Sequence, residues 1–216
     1  MPTITTRRKD ILRPKEIVNT TKTARAKGLD WLACMISIVC IFGKRINEVV
    51  SLTREQIFWD AKFLSIRFIV SKKRTSTPIP IYYTKRKTME HPLIPYIIEY
   101  VSKFKEGYIF PFNRKEEHLK QQRLIKRKDG TQKLCIYEYV VEGGHISRNL
   151  ALYYLKKIAP NWWWHLGRES LATRMAEDGA SEEELMHWFD WDTVDSAHKY
   201  VKRGTKLTEK WSERTW

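Results

Sequence analysis

Six side chains in this 216-residue sequence are of the types that handle a phosphodiester: the guanidiniums of Arg45 and Arg168, the imidazole of His165, the amine of Lys72, the indole N–H of Trp191 and the phenol of Tyr200. Guanidinium forks hold phosphate oxygens bidentately and stay charged. An imidazole moves a proton near neutral pH, and a phenol becomes a nucleophile once its proton has a destination. The chemistry open to such a set is displacement at phosphorus, with the growing charge on the oxygens held by fixed cations.

Local patterns say how these groups would be carried. His165-Leu166-Gly167-Arg168 opens a run from Glu169 to Asp178 whose apolar positions Leu171, Ala172, Met175 and Ala176 recur at helical spacing, and Gly179 supplies a stop. The histidine and arginine therefore sit together where a helix begins. Ser181 with Glu184 reads as a capping box, and Asp192 with Asp195 repeats the pattern ahead of a short helix carrying Tyr200. Arg45 and Glu48 are i, i+3 neighbours on a stretch whose apolar stripe is Ile46, Val49 and Val50, and taken alone they read as an exposed ion pair. Phe63–Val70 and Thr77–Ile81 have strand composition and flank Ser71–Ser76, a hairpin with a basic tip; Pro78 and Pro80 push its second arm toward a sheet edge. The tip, with Lys72, Lys73 and Arg74, is either plain solvated charge that blocks edge pairing or a lysine delivered to a phosphate.

The remaining elements form the frame. A basic arm over residues 1–11 precedes Pro14 and a helix from Lys15 to Ala26, which Gly28 ends. Asp30 can cap Trp31–Phe42, apolar almost all round and so the central core helix, with Gly43 at its close. Residues 92–104 read as an amphipathic helix, followed by a short apolar anchor, Tyr108-Ile109-Phe110-Pro111. Asp129-Gly130 marks the turn of a second basic hairpin between Arg123–Lys128 and Lys133–Val141. Ser147 caps a helix from Arg148 to Ile158 that offers Arg148, Lys156 and Lys157 to phosphates. Trp162, Trp163 and Trp164 cannot share one face, so packing is weighed above base stacking for at least one of them. The sum is a single domain, mainly α with a small antiparallel β-sheet, an α+β class.

A formal net charge of +15 favours a polyanionic partner, nucleic acid before a membrane surface. The only long apolar run, Trp31–Phe42, is too short to span a bilayer, so no membrane is expected. The polar, basic N-terminus lacks a secretory apolar region, which points to an intracellular protein. Cys34, Cys40 and Cys135 lack the paired spacing of a zinc site and read as buried thiols.

In order and spacing these residues resemble the tyrosine recombinase (phage integrase) family, whose pattern is a first Arg after a helix, a Lys on a β-hairpin, His-x-x-Arg, a His or Trp, and a Tyr nucleophile. His165-Leu166-Gly167-Arg168 resembles the His-x-x-Arg, Ala172-Thr173 and Gly179-Ala180 fall where the family has them, and Trp191 precedes Tyr200 at the family's interval. Upstream, Gly43-Lys44-Arg45-Ile46-Asn47-Glu48 is similar to Thr-Gly-x-Arg-x-x-Glu from its glycine on, and Tyr108-Ile109-Phe110-Pro111 to a Tyr-Leu-Phe-Pro element. The resemblance covers residues 12–202 and implies the family's catalytic-domain fold, with a basic insertion over about 114–142, a tail over 203–216 and no N-terminal core-binding domain. Asp190 stands where the family has Gly, and Glu169 follows the Arg where a second His is frequent.

The resemblance implies roles. Arg45 and Arg168 hold the phosphate, His165 is the base for the Tyr200 nucleophile, and Lys72 (or its neighbour Lys73) protonates the departing 5′ oxygen. Trp191 donates its indole N–H, while Glu48 orients Arg45. Lys73, Arg74, Arg148, Lys156 and Lys157 contact the DNA. The implied reaction is site-specific breakage and rejoining of double-stranded DNA through a 3′-phosphotyrosyl intermediate, with neither metal nor other cofactor, by protomers assembled on paired sites as a tetramer. It places the protein in the cytoplasm or nucleoid of a prokaryotic host, with a virus, plasmid or other mobile element as a source of the gene and genome integration among the roles. Alternatives are relaxation without strand exchange, as in type IB topoisomerases, a DNA-binding module without catalysis, and a metal nuclease built on Asp190, Asp192 and Asp195 with His187 or His198.

Overall fold

A computed structural model describes residues 11–69, 82–112, 117–126, 132–141 and 144–204, with 117–126, 132–141 and 202–204 described by backbone alone. The N-terminal arm, the hairpin tip with Lys72, Lys73 and Arg74, the arm Thr77–Ile81, the Asp129-Gly130 turn and the end of the tail from residue 205 lie outside the described residues.

Helix α1 spans Pro14–Ala26, with proline in its first position, where the missing N–H costs no hydrogen bond. Helix α2, Asp30–Phe42, is buried at every position from Leu32 to Phe42 and is the axis on which α1 and later helices pack. Asp30 is its first residue rather than its cap, since the turn already begins at Leu29, and its carboxylate instead takes Lys103 at 2.7 Å. Gly43 ends α2 in the left-handed conformation, φ 63°.

Helix α3, Ile46–Val50, follows, then a single 3-10 turn at Arg54–Gln56. Strands β1, Ile57–Trp59, β2, Phe63–Ile69, and β3, Tyr82–Thr88, form an antiparallel sheet in that order. The short β1 adds a strand to the expected hairpin, and the arm seen paired with β2 is Tyr82–Thr88, in register from Ile69↔Tyr82 to Phe63↔Thr88. Helix α4, Ile94–Val101, packs on α2. Beyond it Ile109 and Phe110 are buried, the backbone N–H of Ile109 donates to Leu52 O, and Phe110 stacks on Tyr100, so the anchor ties this segment to the chain after α3.

Strands β4, Pro111–Phe112, and β7, Gly144–His145, form a small pair, and between them β5, Glu117–Lys126, pairs antiparallel with β6, Gln132–Val141, giving the second hairpin. Helix α5, Arg148–Ile158, is capped by Ser147, whose hydroxyl accepts the Leu150 N–H at 3.2 Å. Of the three tryptophans Trp164 is buried, Trp162 packs against the core and Trp163 is exposed, as three directions on one backbone require.

Helix α6, Trp164–Glu177, lies across α2, where Gly167 gives the close approach: a Cβ there would meet Val39 Cγ1 at 3.0 Å. Helix α7, Glu182–Phe189, carries the expected capping box, with Ser181 Oγ accepting the Glu184 N–H at 3.1 Å and Glu184 Oε2 accepting the Ser181 N–H at 2.8 Å. Helix α8, Val194–Gly204, starts one residue later than the Asp192/Asp195 pattern implied; Thr193 and Ser196, their hydroxyls 3.0 Å apart, stand at its start. Ala172, Ala176, Leu185, Phe189, Ala197 and Tyr200 make a second small core joining these last three helices. The architecture is mainly α with small antiparallel sheets. Among the described residues no helix is long and apolar enough to cross a membrane, and Cys34 and Cys40 are buried free thiols.

Candidate active site

Arg45 stands at the N-cap of α3, in extended backbone conformation, φ −70° and ψ 143°. Glu48 reaches back to it twice: Oε2 accepts the Arg45 backbone N–H at 3.1 Å and Oε1 accepts Nη1 at 3.2 Å. The Glu48 side chain is only 2% exposed while Arg45 is partly exposed, so the pair is no surface ion pair. A buried carboxylate fixes a partly exposed guanidinium.

Arg168, in the second turn of α6, is 2% exposed. Its Nη1 donates to Gly43 O at 2.5 Å and its Nη2 to Phe189 O at 2.7 Å. Gly43 ends α2 and Phe189 ends α7, so the guanidinium joins two helix C-termini, whose carbonyls lack intrahelical donors and carry partial negative charge. Its Cζ lies 5.0 Å from the Phe189 ring centroid and 5.5 Å from that of Trp191. Burial and the nearby Arg45 push its pKa down to about 10, which leaves it charged at neutral pH.

Phe189, Trp191 and Tyr200 form a stack: ring centroids are 4.8 Å apart with 20° between planes for the first pair, and 5.3 Å and 4° for the second. Trp191 thus lies between the ring beside Arg168 and the phenol ring. Tyr200 is 2% exposed, with Lys199 Nζ 4.8 Å from its ring centroid. Trp191, whose ring centroid lies 5.5 Å from Arg168 Cζ and 5.3 Å from that of Tyr200, links the phenol to the guanidinium. His165, one turn before Arg168, is about half exposed and lies 3.6 Å from Glu169. Its pKa is lowered, first by partial burial and then by Arg168, Lys199 and Arg45 against the opposing pull of Glu169, so the neutral imidazole prevails at pH 7.

Arg45, His165, Arg168, Trp191 and Tyr200, drawn from four separate segments, therefore share one neighbourhood. Lys72, Lys73 and Arg74 lie outside the described residues. On α5, Arg148 is exposed, Lys156 donates to Pro160 O at 2.6 Å, and Lys157 sits 4.3 Å from the Tyr153 ring centroid. The nuclease alternative loses its first ligand: Asp190 Oδ2 is paired with Lys44 and Oδ1 with Lys85 at 3.0 Å, while His198 pairs with Glu182. Among the described residues no group of three His, Cys, Asp or Glu side chains converges as a cation site.

Sequence reasoning did not find Lys44 and Lys85 as neighbours of this site. The expected second arm ends at Ile81, which leaves Lys85 without a place in a strand; the structure puts it on the inward face of β3 with Tyr83 and Lys87.

Residues 10–206 match the phage integrase family. The chain belongs to that family. No curated protein sequence matches it. Among solved structures, the fold resembles the XerH site-specific recombinase bound to palindromic difH substrate in a post-cleavage complex (TM-score 0.62, 13% identity, 94% of this chain and 52% of that one). It also resembles the XerA recombinase (0.63, 10%, 95% and 64%) and the Tn1549 transposon integrase in complex with circular intermediate DNA (0.51, 12%, 88% and 61%). The chain thus spans about half the length of XerH, and the shared fold is that of the family's catalytic domain. Asp190 occupies the left-handed position that closes α7, φ 53° and ψ 45°. Aspartate is among the few residues that tolerate it.

Proposed function

We propose that this chain is a site-specific DNA recombinase acting through a 3′-phosphotyrosyl intermediate on Tyr200. The observation that carries this reading is the clustering of two anchored guanidiniums, Arg45 on Glu48 and Arg168 on two carbonyls, beside the Tyr200 phenol in a member of the phage integrase family. Both guanidiniums meet the non-bridging oxygens of one phosphate, where negative charge grows in the transition state. The phenol oxygen attacks phosphorus, its proton passes to neutral His165, and the bond to the 5′ oxygen breaks as Lys72 protonates that oxygen. Attack by a 5′-hydroxyl on the phosphotyrosine reverses these transfers and rejoins a strand. The phosphodiester energy is kept in the covalent bond, so the cycle needs no nucleotide, and the fixed guanidiniums supply the charge a metal ion would. Trp191 holds the phenol ring in place and offers its N–H to a phosphate oxygen. Double-stranded DNA is the substrate, and protomers act together on paired sites.

The test is to incubate the protein and its Tyr200→Phe variant with nicked and supercoiled plasmid DNA in EDTA, denature, and probe for DNA covalently attached to protein. An adduct formed by the wild type alone is expected. Metal-dependent cleavage without an adduct would sink the reading.

A pH profile follows from His165. Its folded pKa lies below the ordinary 6.5, so the basic form predominates above that value. Adduct formation should vary little between pH 8 and 7 and lose most of its rate only below pH 6.5, as the imidazole takes up a proton. Single-turnover rates across this range check it; a decline that begins above pH 7 contradicts a depressed His165.

A further inference from the structure

Lys44, Asp190 and Lys85 come from three separate elements: the turn after α2, the residue that ends α7, and the middle of β3. Their side chains are 1%, 5% and 6% exposed. Asp190 accepts Lys44 Nζ on one oxygen and Lys85 Nζ on the other, the latter at 3.0 Å, and Lys85 Nζ also donates to His187 O at 2.6 Å. The Lys44 ammonium lies 5.1 Å from the Phe68 ring centroid. Burial lowers the Lys44 pKa, and Asp190, with Glu48 behind it, raises it again. Asp190 thus meets two ammoniums with its two oxygens.

Stability alone does not account for this arrangement. Buried ion pairs are commonly no better than apolar side chains of the same volume, because desolvation cancels the Coulombic gain. The placement is more informative. Lys44 follows Gly43 and Asp190 follows Phe189, and the carbonyls of Gly43 and Phe189 are the two that hold Arg168. The ion pair therefore ties together, one residue further along, the same two backbone segments that Arg168 bridges. Lys85, by gripping both Asp190 and the His187 carbonyl, ties the end of α7 to the sheet as well.

We propose that Lys44, Asp190 and Lys85 are positioning residues that fix the spacing of the Gly43 and Phe189 carbonyls and thereby the direction in which Arg168 presents its guanidinium. The proposal rests on the reading above that Arg168 meets the DNA phosphate. With the brace in place, the two carbonyls stay at the separation that both Nη groups of Arg168 span, and its remaining N–H donors keep one aim. Without it the end of α7 and the turn after α2 drift apart, and the guanidinium swings.

The experiment uses Lys44→Met, which keeps the volume and leaves Asp190 matched one to one with Lys85. Two readouts are taken: the single-turnover rate of covalent adduct formation alongside DNA affinity, and the guanidinium ¹⁵N–¹H resonances of Arg168 in the free protein. A misaimed catalytic group of this kind costs about 100-fold in rate. The expected result is a loss of that order with DNA affinity unchanged, together with averaging of Arg168 Nη signals that are distinct in the wild type. Wild-type rate with unchanged Arg168 resonances would overturn the proposal, and so would a loss confined to DNA affinity. Should Lys44→Met fail to fold, Lys85→Met cuts the other arm and is read in the same way. If the wild type itself forms no adduct, the recombinase reading fails, while the resonances still decide whether the brace holds Arg168.

Discussion

Arg168→Lys is expected to slow covalent attachment to DNA by about 100- to 1000-fold, the range found when one preorganised donor to a reacting oxyanion is removed. The charge survives the substitution, and the geometry does not. One ammonium cannot reach Gly43 O and Phe189 O together and still face a phosphate, whereas a planar fork with five N–H donors has enough for all three. Arg168→Met removes the charge as well and strands both buried carbonyls. At about 1–3 kcal/mol for each unsatisfied buried group, it should cost roughly 2–6 kcal/mol of stability. Adduct rates and thermal unfolding of the two variants separate these effects: the lysine variant should lose most of its rate while keeping more of its stability. A lysine variant that reacts at the wild-type rate would remove Arg168 from the chemistry.

Gly43→Ala should damage the fold and the site together. At φ 63° any Cβ is strained, by about 1 kcal/mol. Here the added carbon would also stand 2.3 Å from Phe189 Cε1 and 3.1 Å from Leu171 Cδ2. Phe189 is buried and stacked on Trp191, so its ring has little room to retreat, and overpacking of this sort costs about 1–3 kcal/mol. A total near 3 kcal/mol lowers the melting temperature by roughly 6–12 °C in a domain of this size. Whatever shift relieves the clash moves Gly43 O, Phe189 O or the aromatic stack, so the adduct rate should fall as well. Gly28→Ala is the control: φ is 73° but nothing lies within 4 Å of the new carbon, so it should show the backbone cost alone. Equal melting temperatures for the two variants would mean that the Phe189 ring yields to the added carbon without cost.

Much of the frame was legible one segment at a time. The all-apolar run Trp31–Phe42 became the buried central helix, Pro14 opened α1, Gly43 and Gly179 took left-handed conformations at helix ends, and Ser181 with Glu184 closed a capping box. Each is a matter of neighbours within a turn or two, where propensity and hydrogen-bond geometry act directly. The start of α8 shows the limit of such reading, because Asp192/Asp195 and Thr193/Ser196 offer starts in adjacent registers and the helix begins at Val194, one residue later than the first implies. Glu48 shows another: i, i+3 spacing to Arg45 gives the contact but not the burial that turns a weak surface pair into a fixed support.

By itself the sequence named the chemical groups of the proposed site, their order, and the kinds of local element that carry them, since those follow from residue type and short-range spacing. Only the tertiary structure decided how they are held: Arg168 across 125 positions to Gly43, Lys44 across 146 to Asp190, Lys85 across 102 to the His187 carbonyl, and Tyr200 buried flat against Trp191. Such partnerships arise when separately formed helices meet, and no periodicity along the chain records which carbonyl or carboxylate will be waiting there.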